Sequence, residues 1–353
     1  MQALHNELPL AASTLACTPI EIRAERMEYT TLGRTELKVG VAGLGCGGFS
    51  RLGLNTGGTE ASAIAIIHAA LDQGVNLLDT AAPYDTEGVV GKAIKSVPRD
   101  RVVIATKSSV MRGGDRWTPE RVVASLDNSL RELGIDCIDV FQLHAVPPSG
   151  YDYVRDVIAP VLLKEREKGK FRFLGITETS PNDLEHQMLL RAVPDGMWDV
   201  VMVAFHLMSQ NTREAVFPAT LKHHVGTLLM FAVRSIFARP ERVAEAMKEL
   251  AAQGKVPRSL ADDPDPLGFL IHPGGATSLT DAAYRYVRHE PGVDVVLFGT
   301  GDQAHLRSTI ESILLPPLPQ ADRDKLRSLF SHLRGVGLVL PPRPRAATKG
   351  ATS

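Results

Sequence analysis

Ile138-Asp139-Val140-Phe141-Gln142-Leu143-His144 is a strand-like apolar run that closes on an imidazole. Two earlier stretches have the same form. Val75-Asn76-Leu77-Leu78-Asp79 closes on a carboxylate, and Arg101-Val102-Val103-Ile104-Ala105-Thr106-Lys107 closes on an ammonium. Tyr84 follows Asp79 by five positions. Outward from these, β-type runs recur along most of the chain, at residues 39–44, 75–78, 102–106, 138–143, 171–177, 200–205, 227–233 and 293–298. Most are continuous Val/Ile/Leu-rich runs without apolar/polar alternation, as expected of parallel strands covered on both faces.

The segments between them read as helices. Thr59 caps a helix over 60–73 that Gly74 ends, and Thr118-Pro119-Glu120 opens one that runs to Leu133 and stops at Gly134. Threonine at the N-cap and proline in the first turn suit those positions. Further helices are expected over 155–168, from Pro181-Asn182-Asp183 onward, over 241–253 and over 303–314, with a C-terminal helix over 322–333. Repeated strand–helix alternation predicts a (β/α)8 TIM barrel, α/β in class, in a single domain. An open doubly wound sheet is the competitor. It would more often carry G-x-G-x-x-G directly before a helix, and Gly43-Leu44-Gly45-Cys46-Gly47-Gly48 has neither that spacing nor that neighbour. The stretch 254–277, rich in Pro, Asp and Gly, reads as a long loop between the seventh helix and the eighth strand, a lid or binding loop.

Length and composition agree. The 353 residues fall within the roughly 200 to 400 over which such a barrel closes. With 44% hydrophobic and 22% charged residues the chain is of globular type. A net charge of −1 favours neither nucleic acid nor an anionic membrane. Three cysteines without a Cys-x-x-Cys pair point away from a disulfide scaffold and toward a reducing, cytoplasmic setting. No apolar stretch is long enough for a membrane span. Residues 1–26 read as a disordered leader, with Met27 as an alternative start, 27–335 as the barrel and 336–353 as a flexible basic tail. A monomer or small homo-oligomer is expected.

In such a barrel the chemistry lies at the C-terminal ends of the strands, which gathers Asp79, Lys107, His144 and, from the loop after strand 2, Tyr84. A free phenol, with a pKa of about 10, is a poor proton donor at neutral pH. A nearby ammonium is expected to lower that pKa, an aspartate to hold the ammonium, and an imidazole to orient a substrate oxygen. Taken singly, each residue has a plain structural role: a turn aspartate, a surface lysine, a loop histidine, a packed tyrosine. Only the joint spacing points to chemistry. The eleven histidines include no His-x-x-x-His pair, so no metal site is expected.

At this constellation the chain resembles the aldo-keto reductase superfamily. Leu77-Leu78-Asp79-Thr80-Ala81-Ala82-Pro83-Tyr84, with Glu87 and Gly91, is similar to that family's aspartate–tyrosine signature. Ile104-Ala105-Thr106-Lys107 and Asp139-Val140-Phe141-Gln142-Leu143-His144 resemble its lysine and histidine segments, and Thr31 to Val39 its usual N-terminal segment. The resemblance spans about 27–332. It implies hydride transfer between NADP(H) or NAD(H) and an aldehyde, ketone or aldose, with Tyr84 as proton donor, Lys107 and Asp79 as its tuning pair and His144 as the orienting group. Segment 153–177 looks most like the branch containing L-galactose and related aldose dehydrogenases, which weakly favours a sugar or small polar carbonyl as substrate.

The resemblance also implies cofactor contacts at Gly47, Gly48, Phe49, Asp79, Thr177, Val233, Arg234, Ser235, Gly299, Thr300, Gly301, His305 and Thr309. Several positions depart from the family pattern. Glu178 stands where an asparagine usually holds the nicotinamide carboxamide, Met202 where a glutamine does, and Val233 where an aromatic ring stacks. The lysine that often grips the adenosine 2′-phosphate is missing; Asp302 would repel that phosphate and Arg307 would compensate. Two competing readings are a non-catalytic nucleotide-binding subunit like the β-subunits of potassium channels, and a metal-dependent barrel hydrolase. The histidine spacing disfavours the second.

Overall fold

The structure, a computed structural model, describes residues 27–337 apart from 181, 234 and 235. The expected leader, most of the expected tail and the candidate contacts Arg234 and Ser235 lie outside the described residues. Eight parallel strands close a barrel in chain order: β1 (Ala42–Gly45), β2 (Leu77–Asp79), β3 (Val103–Ser109), β4 (Ile138–Val146), β5 (Phe171–Glu178), β6 (Val200–Ala204), β7 (Gly226–Met230) and β8 (Val295–Phe298). β8 pairs with β1 through Val296–Ala42 to Phe298–Leu44 and closes the ring. The (β/α)8 expectation is borne out, and the open sheet is excluded.

Side chains alternate across each strand, so one set fills the barrel and the other meets the helices. Leu77, Val103, Ala105, Val140, Val200, Met202, Leu228 and Val295 form the inner cluster, joined by Leu32, Leu37 and Val39. Those last three belong to the segment that carries an antiparallel hairpin (Tyr29–Thr31 with Lys38–Gly40). The expected first strand at 39–44 therefore divides: Val39 pairs with Thr30 in the hairpin, and only Ala42 onward joins the barrel.

The helix signals act as expected. Thr59 and Ser62 form a reciprocal capping box at Glu60–Asp72. Thr118 caps Pro119–Leu133, and Gly134, at φ +65°, ends it. Between Tyr151 and Glu167 the helix contains a π-helical turn at Val154–Ile158. The helix expected from Pro181 is shorter and later, at Gln187–Ala192, where the Asp183 carboxylate accepts from the amides of Gln187 and Met188.

Two helices of eight residues or more were not expected: Glu87–Ile94 and Leu279–Arg288. The second packs against β8 and against Gln303–Leu314, so it occupies the place before β8 that 254–277 was expected to fill. Helix Pro240–Ala252 is thus an insertion after β7, followed by Arg258–Asp262. Leu267, Leu270 and Ala276 are buried in the outer core, so part of 254–277 is packed. Val336 also packs on that core.

Candidate active site

Lys107 and His144 fall inside β3 and β4, near their C-terminal ends, because both strands run further than the apolar runs do. Asp79 is the last residue of β2. Lys107 is fully buried, and its Nζ donates to Asp79 Oδ2 at 2.7 Å and to the Thr80 carbonyl at 2.8 Å. The other Asp79 oxygen accepts from Gln142 Nε2 at 3.3 Å. Gln142 was not expected in the site. It lies two positions before His144 on β4, so period-2 alternation places both on the barrel's inner face.

Tyr84 reaches this group from the loop after β2. Its hydroxyl lies 3.3 Å from His144 Nε2, and the two rings meet edge-on with centroids 5.5 Å apart. Lys107 Nζ stands 5.1 Å from the centre of the tyrosine ring. The loop is tied down at both ends. Thr80 and Thr86 share a hydroxyl–hydroxyl bond, and buried Glu87 accepts from the Thr106 hydroxyl at 2.6 Å. Arg51, from the loop after β1, pairs with Asp85 at 3.4 Å. Gly47 is required beneath Tyr84, since a Cβ there would stand 2.4 Å from the ring.

Burial sets the protonation states. It pulls the Lys107 ammonium down, but Asp79 and then Tyr84 outweigh it, so the pKa of Lys107 ends above its ordinary value. Burial pushes the Asp79 carboxyl up against the pull of Lys107. His144 falls to about 3, from burial and then from Lys107, and is a neutral imidazole at pH 7. Tyr84 departs from the expectation. Lys107 does pull its phenol down, but burial is the larger effect and the pKa is raised.

The positions implied as cofactor contacts are brought together unevenly. Where a Cβ of Gly299 would stand, the carbonyl oxygens of Gly45 and Gly47 lie 3.3 and 4.0 Å away, so the turns after β1 and β8 run side by side. Gly47 and Gly299 thus leave backbone uncovered by side chains, with exposed Phe49 two positions on, whereas Gly301 packs on the loop after β1, where a Cβ would stand 2.3 Å from Gly53 Cα. The uncovered backbone beside Tyr84 fits a flat nucleotide. Thr300 turns inward and bonds the Asp302 backbone. Asp302 caps Gln303–Leu314 by accepting from the His305 amide at 2.8 Å, so its carboxylate occupies one donor that a phosphate would use. Thr309 bonds Tyr284 between two helices, and Val233 packs on the outer core. At the end of β7, Phe231 (φ +66°) turns the chain out of the sheet. Met202 fills the barrel interior.

Glu178, the main departure from the family pattern, is buried and is bonded within the protein. Its Oε1 accepts from the Ala204 amide at 2.7 Å, and its Oε2 lies 2.7 Å from His186 Nδ1. His186 Nε2 faces Asn211 Oδ1 at 3.2 Å and Thr212 Oγ1 at 3.0 Å. The Thr212 proton goes to the Ala204 carbonyl and the Asn211 amide to that of Leu184. Both ring nitrogens of His186 therefore face oxygens placed to accept, an arrangement that suits an imidazolium paired with Glu178, while burial pushes the Glu178 carboxyl up against the pull of His186. Burial alone would lower the pKa of His186, but Glu178 and Asn211 raise it above the ordinary 6.5. This contribution to stability is complete below about pH 6.5 and is lost as pH rises through the folded value. Glu178→Gln should cost about 1–3 kcal/mol at neutral pH and flatten that alkaline decline in urea-unfolding stability. An unchanged pH profile would contradict the charged pair.

A cavity of about 1130 Å³ lies at the opposite end of the barrel, lined by Asn76, Val103, Cys137 and Arg172. Those residues mark the N-terminal part of the barrel, and none of the four expected active-site residues lines it. It is part of the face that in such barrels serves stability. Among the described residues no three His, Cys, Asp or Glu side chains are grouped as a metal would require. Among them, too, no helix is long and apolar enough to cross a membrane.

A (β/α)8 barrel with an acid, an ammonium, an imidazole and a phenol at its C-terminal mouth defines a class, and comparison with known proteins gives the family. The profile of the aldo/keto reductase family matches residues 43–330, and the chain belongs to that family. It is therefore an oxidoreductase of the carbonyl–alcohol type. It is 35% identical over 210 residues to L-galactose dehydrogenase of Arabidopsis thaliana, which covers 58% of this chain and 64% of that protein. It is 29% identical to the aldo-keto reductase YhdN of Bacillus subtilis, over 81% of this chain and 88% of the other. An aldo-keto reductase structure from Bacillus halodurans, in its holo form, superposes with a TM-score of 0.64 at 22% identity, covering 86% and 96% of the two chains. These relatives do not favour the channel-subunit reading.

Proposed function

We propose that this chain transfers a hydride between NAD(H) or NADP(H) and an aldehyde, ketone or aldose, with Tyr84 as the general acid and base. The observation that carries this reading is the Tyr84 hydroxyl, 3.3 Å from a neutral His144 and held over the buried Lys107–Asp79 pair. The backbone beside Gly47 and Gly299 would hold a nicotinamide cofactor, which when bound would supply or accept the hydride. Tyr84 gives its phenolic proton to the carbonyl oxygen as that oxygen gains charge. His144, uncharged, directs a ring nitrogen at the same oxygen and fixes its approach. Lys107 stabilises the phenolate that remains, and Asp79, with Gln142 on its second oxygen, keeps Lys107 charged in a buried place. Run in reverse, the phenolate takes a proton from an alcohol or a sugar hemiacetal. The match to L-galactose dehydrogenase supports a sugar or another small polar carbonyl compound as the substrate.

Fluorescence titration with NADH and NADPH tests the reading. Hydrogen bonding to the His305 amide holds the Asp302 carboxyl below its ordinary range, so it is ionised at neutral pH and disfavours an added 2′-phosphate nearby. NADH should bind at least as tightly as NADPH, and Asp302→Ala should shift the ratio toward NADPH by roughly threefold to tenfold, less at high salt. Very weak binding of both cofactors would overturn the oxidoreductase mechanism. A ratio unmoved by Asp302→Ala would remove only the role given to that carboxylate.

A further inference from the structure

We propose that Thr177 is a positioning residue for His144, acting through a β-bulge that its hydroxyl completes. This rests on the reading of His144 as the group that orients the substrate oxygen. On one side β4 stays in register with β3 as far as the Ser109–His144 pair. On the other side it slips: Leu143 pairs with Ile176 and Val146 with Glu178, so His144 and Ala145 together stand opposite the single residue Thr177. Two residues against one is the geometry of a bulge, which leaves an unpaired backbone group and bends the strand. Ala145 takes up the irregularity at φ +51°, a left-handed conformation that an alanine adopts only when its surroundings hold it.

The structure supplies what holds it. The Ala145 amide, orphaned by the slip, donates to Thr177 Oγ1 at 2.7 Å. Thr177 is only 2% exposed and is itself fixed from two directions. It pairs with Met202 on β6, and its neighbour Glu178 is clamped to the Ala204 amide and to His186. A rigid β5 end thus reaches across to the backbone immediately after His144. The bulge keeps Val146 buried in the outer core. It also sets the bend at which His144 leaves the strand to meet the Tyr84 hydroxyl. The oxygen that would otherwise be read as a carboxamide ligand is already engaged by the protein's own backbone.

Two variants of similar volume test this. Thr177→Val keeps the branched shape and removes the oxygen, and Thr177→Ser keeps the oxygen. In Thr177→Val the Ala145 amide should exchange with solvent at least about tenfold faster, and the His144 ring resonances should move. Turnover at saturating cofactor should fall about 10- to 100-fold, while the Kd for NADH or NADPH stays within about twofold. Thr177→Ser should return all of these toward wild type. Wild-type Ala145 exchange and His144 resonances in Thr177→Val would overturn the proposal. So would a variant that weakens cofactor binding but keeps wild-type turnover at saturation, since that is the behaviour of a cofactor contact. The amide and ring signals need no turnover, so they decide the role of Thr177 even if the oxidoreductase reading fails in the cofactor titrations.

Discussion

Tyr84→Phe should lower turnover by about 100- to 10,000-fold while changing cofactor affinity and folding stability little. The substitution removes one oxygen and leaves the ring, which keeps its contact with Gly47, its edge-on packing on His144 and its place beside Lys107. What is lost is the hydroxyl that faces His144 Nε2, the only dissociable proton on the tyrosine side chain. Burial raises the phenol's pKa, so in the free enzyme it remains protonated across neutral pH and is ready to act as an acid. The oxidative direction needs the phenolate, so the rate of alcohol oxidation should rise with pH as the carbonyl reduction rate holds or falls. Steady-state rates in both directions, with cofactor Kd measured on the same preparations, check both statements. A Tyr84→Phe enzyme with wild-type turnover would exclude Tyr84 as the acid.

The meeting of Asp79, Lys107 and His144 at one end of the barrel was legible because strand ends are set by local pattern, and Tyr84 follows from its closeness to Asp79 in the chain. Val/Ile/Leu runs mark parallel strands, and the residue that closes each run is delivered to the same face of the barrel. Gln142 could have been found by the same rule, since it sits two positions from His144 within the same run. Other parts of the site depend on contacts that no spacing encodes. Glu178 and His186 are separated by an irregular turn, and only the folded chain shows that the carboxylate is taken up by His186 and the Ala204 amide. The partnership of Thr177 with Ala145 depends on a slip in register, which an apolar pattern cannot reveal. Helix Glu87–Ile94 was overlooked because it is eight residues long and contains Gly88 and Gly91, which lower its intrinsic propensity. Gly91 is there for packing: a Cβ would stand 2.6 Å from the Glu132 carbonyl oxygen. Leu279–Arg288 was overlooked beside a Pro- and Gly-rich stretch that dominated its surroundings in the sequence.

Lys107→Met should abolish most turnover and also destabilise the fold by about 3–5 kcal/mol, an effect that Tyr84→Phe should not share. Lys107 is fully buried, and methionine of similar length fills its space, so the cost is electrostatic and not a cavity. Without the ammonium, Asp79 keeps one bond from Gln142 but loses the partner that opposes its desolvation. The carboxyl would then bind a proton, and the Thr80 carbonyl would lose the donor it takes from Lys107. Adding Asp79→Asn to Lys107→Met replaces a buried carboxyl, which must stay charged without its partner or take up a proton, by a neutral amide, so the double variant should be more stable than the single one, by roughly 1–3 kcal/mol. It should nevertheless stay inactive, because the positive charge next to Tyr84 is still missing. Urea unfolding of the wild type, both single variants and the double variant, with turnover on the same samples, separates the two consequences. Additive stability losses would show that Lys107 and Asp79 are not coupled. Restored turnover in the double variant would mean that the charge on Lys107 takes no part in the chemistry assigned to Tyr84.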